Sequence, residues 1–310
     1  MLPDPMEKPA LHSSILRTFA DFFKIETVPK APRPSPPAPL PQGARGDLCN
    51  RLLQPSSANL DQLIQMASAF AQLPYENLSK IIRQAETGSI VEARRLPGEV
   101  ITDHIHLGTG GTCFSLTATL LHLVRALGWQ AEPLLADRRY GANTHCALLV
   151  WIEGQPHLLD PGFLLVRPVP LPRTEPTRIA TGFNEVILTP KADGARVDLE
   201  TVQYGHTMYR LTYKTEPADR AAFLGAWDAS FDWDMMHYPV VTRQSGDKQI
   251  YLQKNRLLVR DIHTAQRTEL DPGTLVDQIA QTFGIASEVA ARALTILRRK
   301  GDSYGSTAIS

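Results

Sequence analysis

The chain of 310 residues has no excess of charge of either sign: 32 lysines and arginines balance 32 aspartates and glutamates. Global electrostatics therefore give no reason to expect a nucleic acid or a membrane surface as partner. No apolar run approaches the roughly 20 residues that a membrane span needs, and the first residues lack the apolar stretch of a signal peptide. Cysteine is scarce, with only Cys49, Cys113 and Cys146. That odd, low count excludes a disulfide scaffold and fits a reducing compartment where a thiol stays free; a cytoplasmic location is expected. No CxxC or HExxH spacing is present, so no metal is expected, and the Asp103, His104 and His106 cluster reads as a loop or core feature. No internal repeat of useful length is visible.

What the chain does contain is a change of character along its length. Residues 13–25 read as a short amphipathic helix, capped by Ser13 or Ser14. Between Pro29 and Pro41 about every second residue is proline, which bars helix and central strand and predicts a semi-rigid linker or arm. From Ser57, Leu60, Leu63, Ile64, Ala67 and Phe70 recur at helical steps until Pro74, and a second short helix is predicted over 76–84. A third runs from Cys113 to Leu127, with Gly128 as terminator. From Gln130 short apolar runs separated by turn residues predict strands through AEPLLA, HCALLVWI, PHLLD, FNEVILTP, RVDLETVQ and HTMYRLTY. A helix around 219–233, a hairpin around 249–262 and helices at 272–283 (begun by Asp271-Pro272) and 287–299 complete the chain.

Three residues carry chemistry. Cys113 follows Gly108-Thr109-Gly110-Gly111-Thr112 and opens a helix. The partial positive charge of a helix N-terminus lowers a thiol pKa, and thiolate is the nucleophilic form. The glycines allow backbone to approach the sulfur and a substrate; no P-loop lysine follows. Glu153-Gly154 is a turn signal between the runs that hold His145 and Asp160. A two-residue turn there sets Asp160 opposite Ala147 and diagonal to His145, roughly 7–8 Å away and within reach of an imidazole. A histidine that takes the thiol proton and an aspartate that fixes its tautomer form the logic of a catalytic triad. Cys146 points to the other face of its strand and reads as core; Cys49 lies among polar residues.

At this point FAQLPYENLS (70–79), GGTCFSL (110–116), NTHCALLV (143–150), HLLDPGF (157–163) and FGI (283–285) resemble the arylamine N-acetyltransferase family. The aspartate follows the histidine by 15 residues (160 minus 145), as in that family's pattern. The resemblance, over roughly residues 50 to 300, implies an α+β fold: a helical domain with the nucleophile (43–129), an antiparallel β-barrel domain with His145 and Asp160 (130–218) and an α/β lid (219–310), with the N-terminal helix and proline-rich arm (1–42) outside the likeness. It implies ping-pong acyl transfer through a Cys113 thioester to an amine. The cosubstrate would be acetyl-CoA or another acyl-CoA or phosphopantetheine thioester, with no permanently bound cofactor. Gly110, Gly111, Thr112, Gly162 and Phe163 would bind the donor. The family usually has arginine, glutamate and asparagine where Thr109, Ser115 and Thr117 stand. Loss of both charges together predicts a shell without an ion pair, roomier beside Cys113 and suited to a bulkier acyl chain or a pantetheine arm from an acyl carrier protein. Off-loading amide synthases or Dieckmann-type cyclases, transglutaminase-like thiol hydrolases and a non-enzymatic binding protein on the same scaffold are the alternatives.

Overall fold

The computed structural model describes residues 12–25 and 57–301; the proline-rich stretch, Cys49 and the Ser13 side chain lie outside the described residues. Helices dominate the first part: α1 His12–Phe23, α2 Ser57–Phe70, α3 Leu78–Thr87, α4 Ile90–Ala93, α5 Pro97–Leu107 and α6 Cys113–Ala126. The sequence predicts no helix between 85 and 109, yet α5 has ordinary helix punctuation. Pro97 opens it, Glu99 accepts from the Leu96 N–H at 2.7 Å, and Gly108 ends it at φ +67°. The Asp103, His104 and His106 cluster is therefore helical.

The strands then form an antiparallel sheet of β2 Ala131–Arg138, β3 Gly141–Ile152, β4 Gln155–Asp160, β5 Leu165–Pro170, β6 Thr177–Ala180, β7 Glu185–Pro190, β8 Arg196–Gln203 and β9 His206–Lys214. Its order is β5-β4-β3-β2-β9-β8-β7-β6, with β5 and β6 as open edges, so the expected barrel is a half-barrel. The near-continuous apolar run of β3 has a reason: both of its faces are covered. Leu148 and Val150 pack with Leu121 and Val124 of α6, while Ala147 and Leu149 pack with Leu188, Leu199 and Tyr213 across the sheet. A helix facing such a sheet on one side and other helices on its far side is buried nearly all round, as α6 is.

The rest of the chain comprises α7 Arg220–Ala229, β10 Val240–Ser245, β11 Lys248–Gln253, β12 Arg256–Arg260, β13 Ala265–Glu269, α8 Leu275–Phe283 and α9 Ser287–Arg299. The helix predicted from Asp271-Pro272 starts at Leu275 instead. Asp271 Oδ1 accepts from the Gly273 N–H at 3.0 Å, closing a turn before the helix. The second sheet runs β1-β10-β11-β12-β13, where β1 is Tyr75–Glu76. Tyr75 faces Thr242, so the segment leading to the nucleophile loop is tied to the C-terminal part. One core joins Cys113, Phe114 and Cys146 to Phe223, Trp227 and Phe283. Burying side chains of this size stabilises by about 1.5–3 kcal/mol each.

Candidate active site

Cys113 is the first residue of α6 and is 8% exposed. The loop before it is fixed by packing. A Cβ on Gly110 would lie 1.8 Å from the Pro74 carbonyl oxygen, so only glycine fits that approach. The Gly111 carbonyl accepts from the Glu76 N–H at 3.0 Å, and Gly111 N–H donates to Pro74 O at 3.3 Å. A buried cation holds the same loop. Arg95, 5% exposed, donates to Gly110 O at 2.6 Å and Ser79 Oγ at 2.7 Å, and pairs with Asp103 at 2.7 Å. Its guanidinium lies 3.7 Å from Glu76, which is wholly buried and accepts from Ser79 N and Oγ. The expectation of a shell without an ion pair is thus corrected: the cation comes from the segment ahead of α5 and its anion from β1.

The turn of the β3–β4 hairpin is at Glu153 and Gly154, both at positive φ, with Ile152 facing Gln155 and Leu148 facing Leu159. That register sets Asp160 one step beyond, across from the His145 end of β3. His145 Nε2 and Asp160 Oδ2 are 2.7 Å apart, and both residues are buried. Asp160 also accepts from Tyr213 Oη at 2.6 Å and from Gly162 N–H at 3.0 Å. Burial alone would raise the Asp160 pKa; His145, Tyr213 and the Gly162 amide reverse that and hold it below its usual value. Burial works against the imidazolium, but Asp160 more than compensates and the His145 pKa is raised. Phe163 meets the imidazole edge-on, with centroids 5.4 Å apart. A Cβ on Gly162 would stand 3.0 Å from Asp160 Oδ1, which explains a glycine there.

The Cys113 thiol lies well below its ordinary pKa. A hydrogen bond with Cys146 lowers it, burial opposes, and the hydrogen bond and charge of His145 with the charge of Arg138 complete the shift. Cys146 is buried as expected, but it borders the nucleophile. Its S–H donates to Thr117 Oγ1 at 3.3 Å. The Thr117 hydroxyl in turn donates to the Cys146 carbonyl at 3.1 Å. Arg138 Nη2 stands 3.3 Å from His145 Nδ1.

A cavity of about 110 Å³ opens beside these groups and is lined by Cys113, His145, Cys146 and Asp160. Phe70, Leu73, Leu116, Leu120 and Leu164 make its apolar wall; Tyr75, Thr242, Gln244 and Gln249 make its polar side. Of the residues assigned to the donor, Gly162 lines this cavity, whereas Gly110, Gly111, Thr112 and Phe163 do not. His104 Nδ1 lies 2.8 Å from Thr109 O and its ring stacks on Phe23, while Asp103 serves Arg95. Among the described residues no three His, Cys, Asp or Glu side chains gather as metal ligands.

A family model described as N-acetyltransferase matches residues 59–292, well over half of the chain. The chain belongs to this family. Solved arylamine N-acetyltransferases share its fold. That of Mycobacterium abscessus is 15% identical, with a TM-score of 0.71 over 94% of this chain and 99% of its own. That of Mycobacterium smegmatis is 21% identical, with a TM-score of 0.64 over 77% of this chain and 92% of its own. The Mycobacterium marinum enzyme in complex with CoA is 18% identical, with a TM-score of 0.63 over 80% and 94%. No curated protein matches by sequence.

Within this N-acetyltransferase scaffold, four neighbours of the site escape the sequence reading: Arg95, Arg138, Tyr213 and the contact of Cys146 with the nucleophile. Tyr213 lies in a strand that the alternation does predict. Its reach to Asp160 depends on β9 pairing with β2, a contact between residues far apart in the chain that alternation does not encode. Ser115, one of the departures from the family pattern, donates to Thr112 O at 3.1 Å and so closes the first turn of α6.

Proposed function

We propose that this N-acetyltransferase family member moves an acyl group from a thioester donor to an amine through a thioester on Cys113. The observation that carries the reading is one cavity shared by a low-pKa thiol at a helix start and a histidine bonded at 2.7 Å to a buried aspartate. Asp160 accepts the Nε2–H of His145, and Nδ1, which Arg138 Nη2 approaches to 3.3 Å, is the nitrogen that exchanges protons with Cys113. The Cys113 thiolate attacks the donor carbonyl. The tetrahedral adduct collapses, the donor thiolate leaves, and His145 returns the proton to it. In the second half the amine attacks the Cys113 thioester, His145 takes the amine proton, and the Cys113 thiolate is released. A CoA-type thioester is the proposed donor, in keeping with the CoA complex of the structurally similar M. marinum enzyme.

Because the acyl group waits on the enzyme, the donor product leaves before the amine reacts. Initial rates with acetyl-CoA and an arylamine varied together should give parallel double-reciprocal lines. Intersecting lines, with the rate kept in Cys113→Ala, would reject the reading.

A further inference from the structure

Three half-buried arginines stand near one another beside the Cys113 cavity without lining it, and among the described residues none of them forms an ion pair. Arg138 is the last residue of β2. Besides its contact with His145, its Nη1 donates to Tyr140 Oη at 2.8 Å, and its Nε is buried with no partner. Arg210 lies on β9, the strand beside β2. There Leu199 faces Leu211 while Glu200 faces Tyr209, so Arg210 is the extra residue of a bulge. Bulges re-aim a side chain, often next to active sites. Arg210 Nε donates to Thr201 Oγ1 at 2.7 Å, and its Nη2 touches only the Met208 sulfur at 3.7 Å. Arg260 ends β12 of the other sheet. It donates to Gln249 Oε1 at 2.5 and 3.0 Å and to Gln203 Oε1 at 3.3 Å. Gln249 lines the Cys113 cavity, so Arg260 comes beside the same cavity from the opposite side.

Three carboxylates close by in sequence or on adjacent strands are engaged elsewhere, and Glu200 of β8, opposite Tyr209, is the one left beside Arg210 in the register. Asp137 pairs with Lys214, Asp198 binds Lys191 and Thr212, and both oxygens of Asp261 bond within its own turn. Burial lowers the Arg210 pKa, and Arg260 and Arg138 push it further down, as like charges do when nothing neutralises them. Guanidinium groups left with spare donors in a partly dry cleft focus a positive potential, and their fork geometry suits phosphate and carboxylate oxygens.

We propose that Arg138, Arg210 and Arg260 form an anion-recognition site at the mouth of the Cys113 cavity, taking a phosphate or carboxylate group of one of the two substrates. That the bound anion is a substrate rests on the acyl-transfer reading; that the site binds an anion does not. The test is calorimetric titration of Cys113→Ala protein, in which binding is separated from chemistry. The probes are coenzyme A against pantetheine, which has the same thiol arm without the nucleotide phosphates, and an aminobenzoate against aniline. A phosphate source gives coenzyme A at least about tenfold tighter than pantetheine; a carboxylate source gives that preference to the aminobenzoate. The preference should shrink with salt and vanish in Arg210→Gln/Arg260→Gln, with the uncharged probe unaffected, and Arg210→Lys should keep part of it. Equal binding of charged and uncharged probes, or a preference that survives in the double variant, would overturn the site. Loss of acylation at Cys113 in the wild type would instead sink the acyl-transfer reading and leave this binding result standing.

Discussion

Arg95→Met removes one cation and leaves its volume largely filled, which isolates the charge from the packing. The guanidinium is 5% exposed and bonds Gly110 O, Ser79 Oγ and Asp103, with Glu76 at 3.7 Å. Methionine returns none of these bonds. Glu76, wholly buried, keeps its bonds from Ser79 but loses the nearby positive charge. Breaking a buried pair by removing one partner costs about 3–5 kcal/mol, mostly the penalty of the uncompensated charge. At a few degrees per kcal/mol for a chain of this size, the melting temperature should fall by about 10 °C. Glu76→Gln removes that penalty, so in Arg95→Met/Glu76→Gln part of the loss should be regained. A coupling of about 1–3 kcal/mol is the signature of direct interaction. Urea unfolding followed by circular dichroism gives all four stabilities. The loop that Arg95 holds leads into Cys113, so iodoacetamide alkylation of that thiol should also slow in Arg95→Met. Stability within 1 kcal/mol of wild type, or strict additivity of the two substitutions, would refute the reasoning.

Lys80 gives a pH signature. Burial lowers its pKa from 10.5 to about 7, and it bonds Ser230 O at 2.7 Å and lies 4.2 Å above the Phe231 ring. Between about pH 7 and 10.5 the unfolded chain therefore binds one more proton there than the folded protein. Stability from this group rises with pH across that window, by up to about 1.4 kcal/mol per pH unit; Lys80→Met should lack the rise in urea unfolding at pH 6 and 9, and parallel profiles would contradict it. Asp160→Asn cannot enforce the His145 tautomer, and turnover should drop by up to about 10⁴-fold, the scale of the serine-triad precedent; near-normal kcat would show that the pair is structural. Tyr213→Phe removes one of the bonds to Asp160 and should destabilise by about 1 kcal/mol. Because Asp160 would then be less well held as an anion, the acidic limb of the pH–rate profile should move to higher pH, and an unmoved limb would exclude this role.

The α+β order and the local pair of His145 and Asp160 were legible because both depend on short-range patterns. A two-residue turn at Glu153-Gly154 fixes register, and register fixes which side chains share a face. Helix α5 carried readable punctuation in Pro97, Glu99 and Gly108, but the Asp103, His104 and His106 cluster drew attention to ligand chemistry instead of helical spacing. Arg95 was not legible: its partners lie on β1, α3, α5 and the nucleophile loop, and nothing local marks an arginine that will be buried. Thr109, Ser115 and Thr117 announced that charges had left their usual positions, not that a cation had entered from elsewhere. Arg210 was hidden for a related reason, since a bulge exists only in the pairing of β8 with β9. The glycines before Cys113 suggest room for a substrate, but at Gly110 that room is taken by the Pro74 carbonyl.

The central claim is that Cys113 carries the acyl group. Intact-mass spectrometry after incubation with acetyl-CoA in the absence of any amine tests it most directly. The account predicts one acetyl added to the wild-type chain, mapped by peptide digestion to Cys113, absent in Cys113→Ala and discharged on adding an arylamine. An adduct on Cys146 or Cys49, or turnover without any adduct across a range of acyl thioesters, would contradict it.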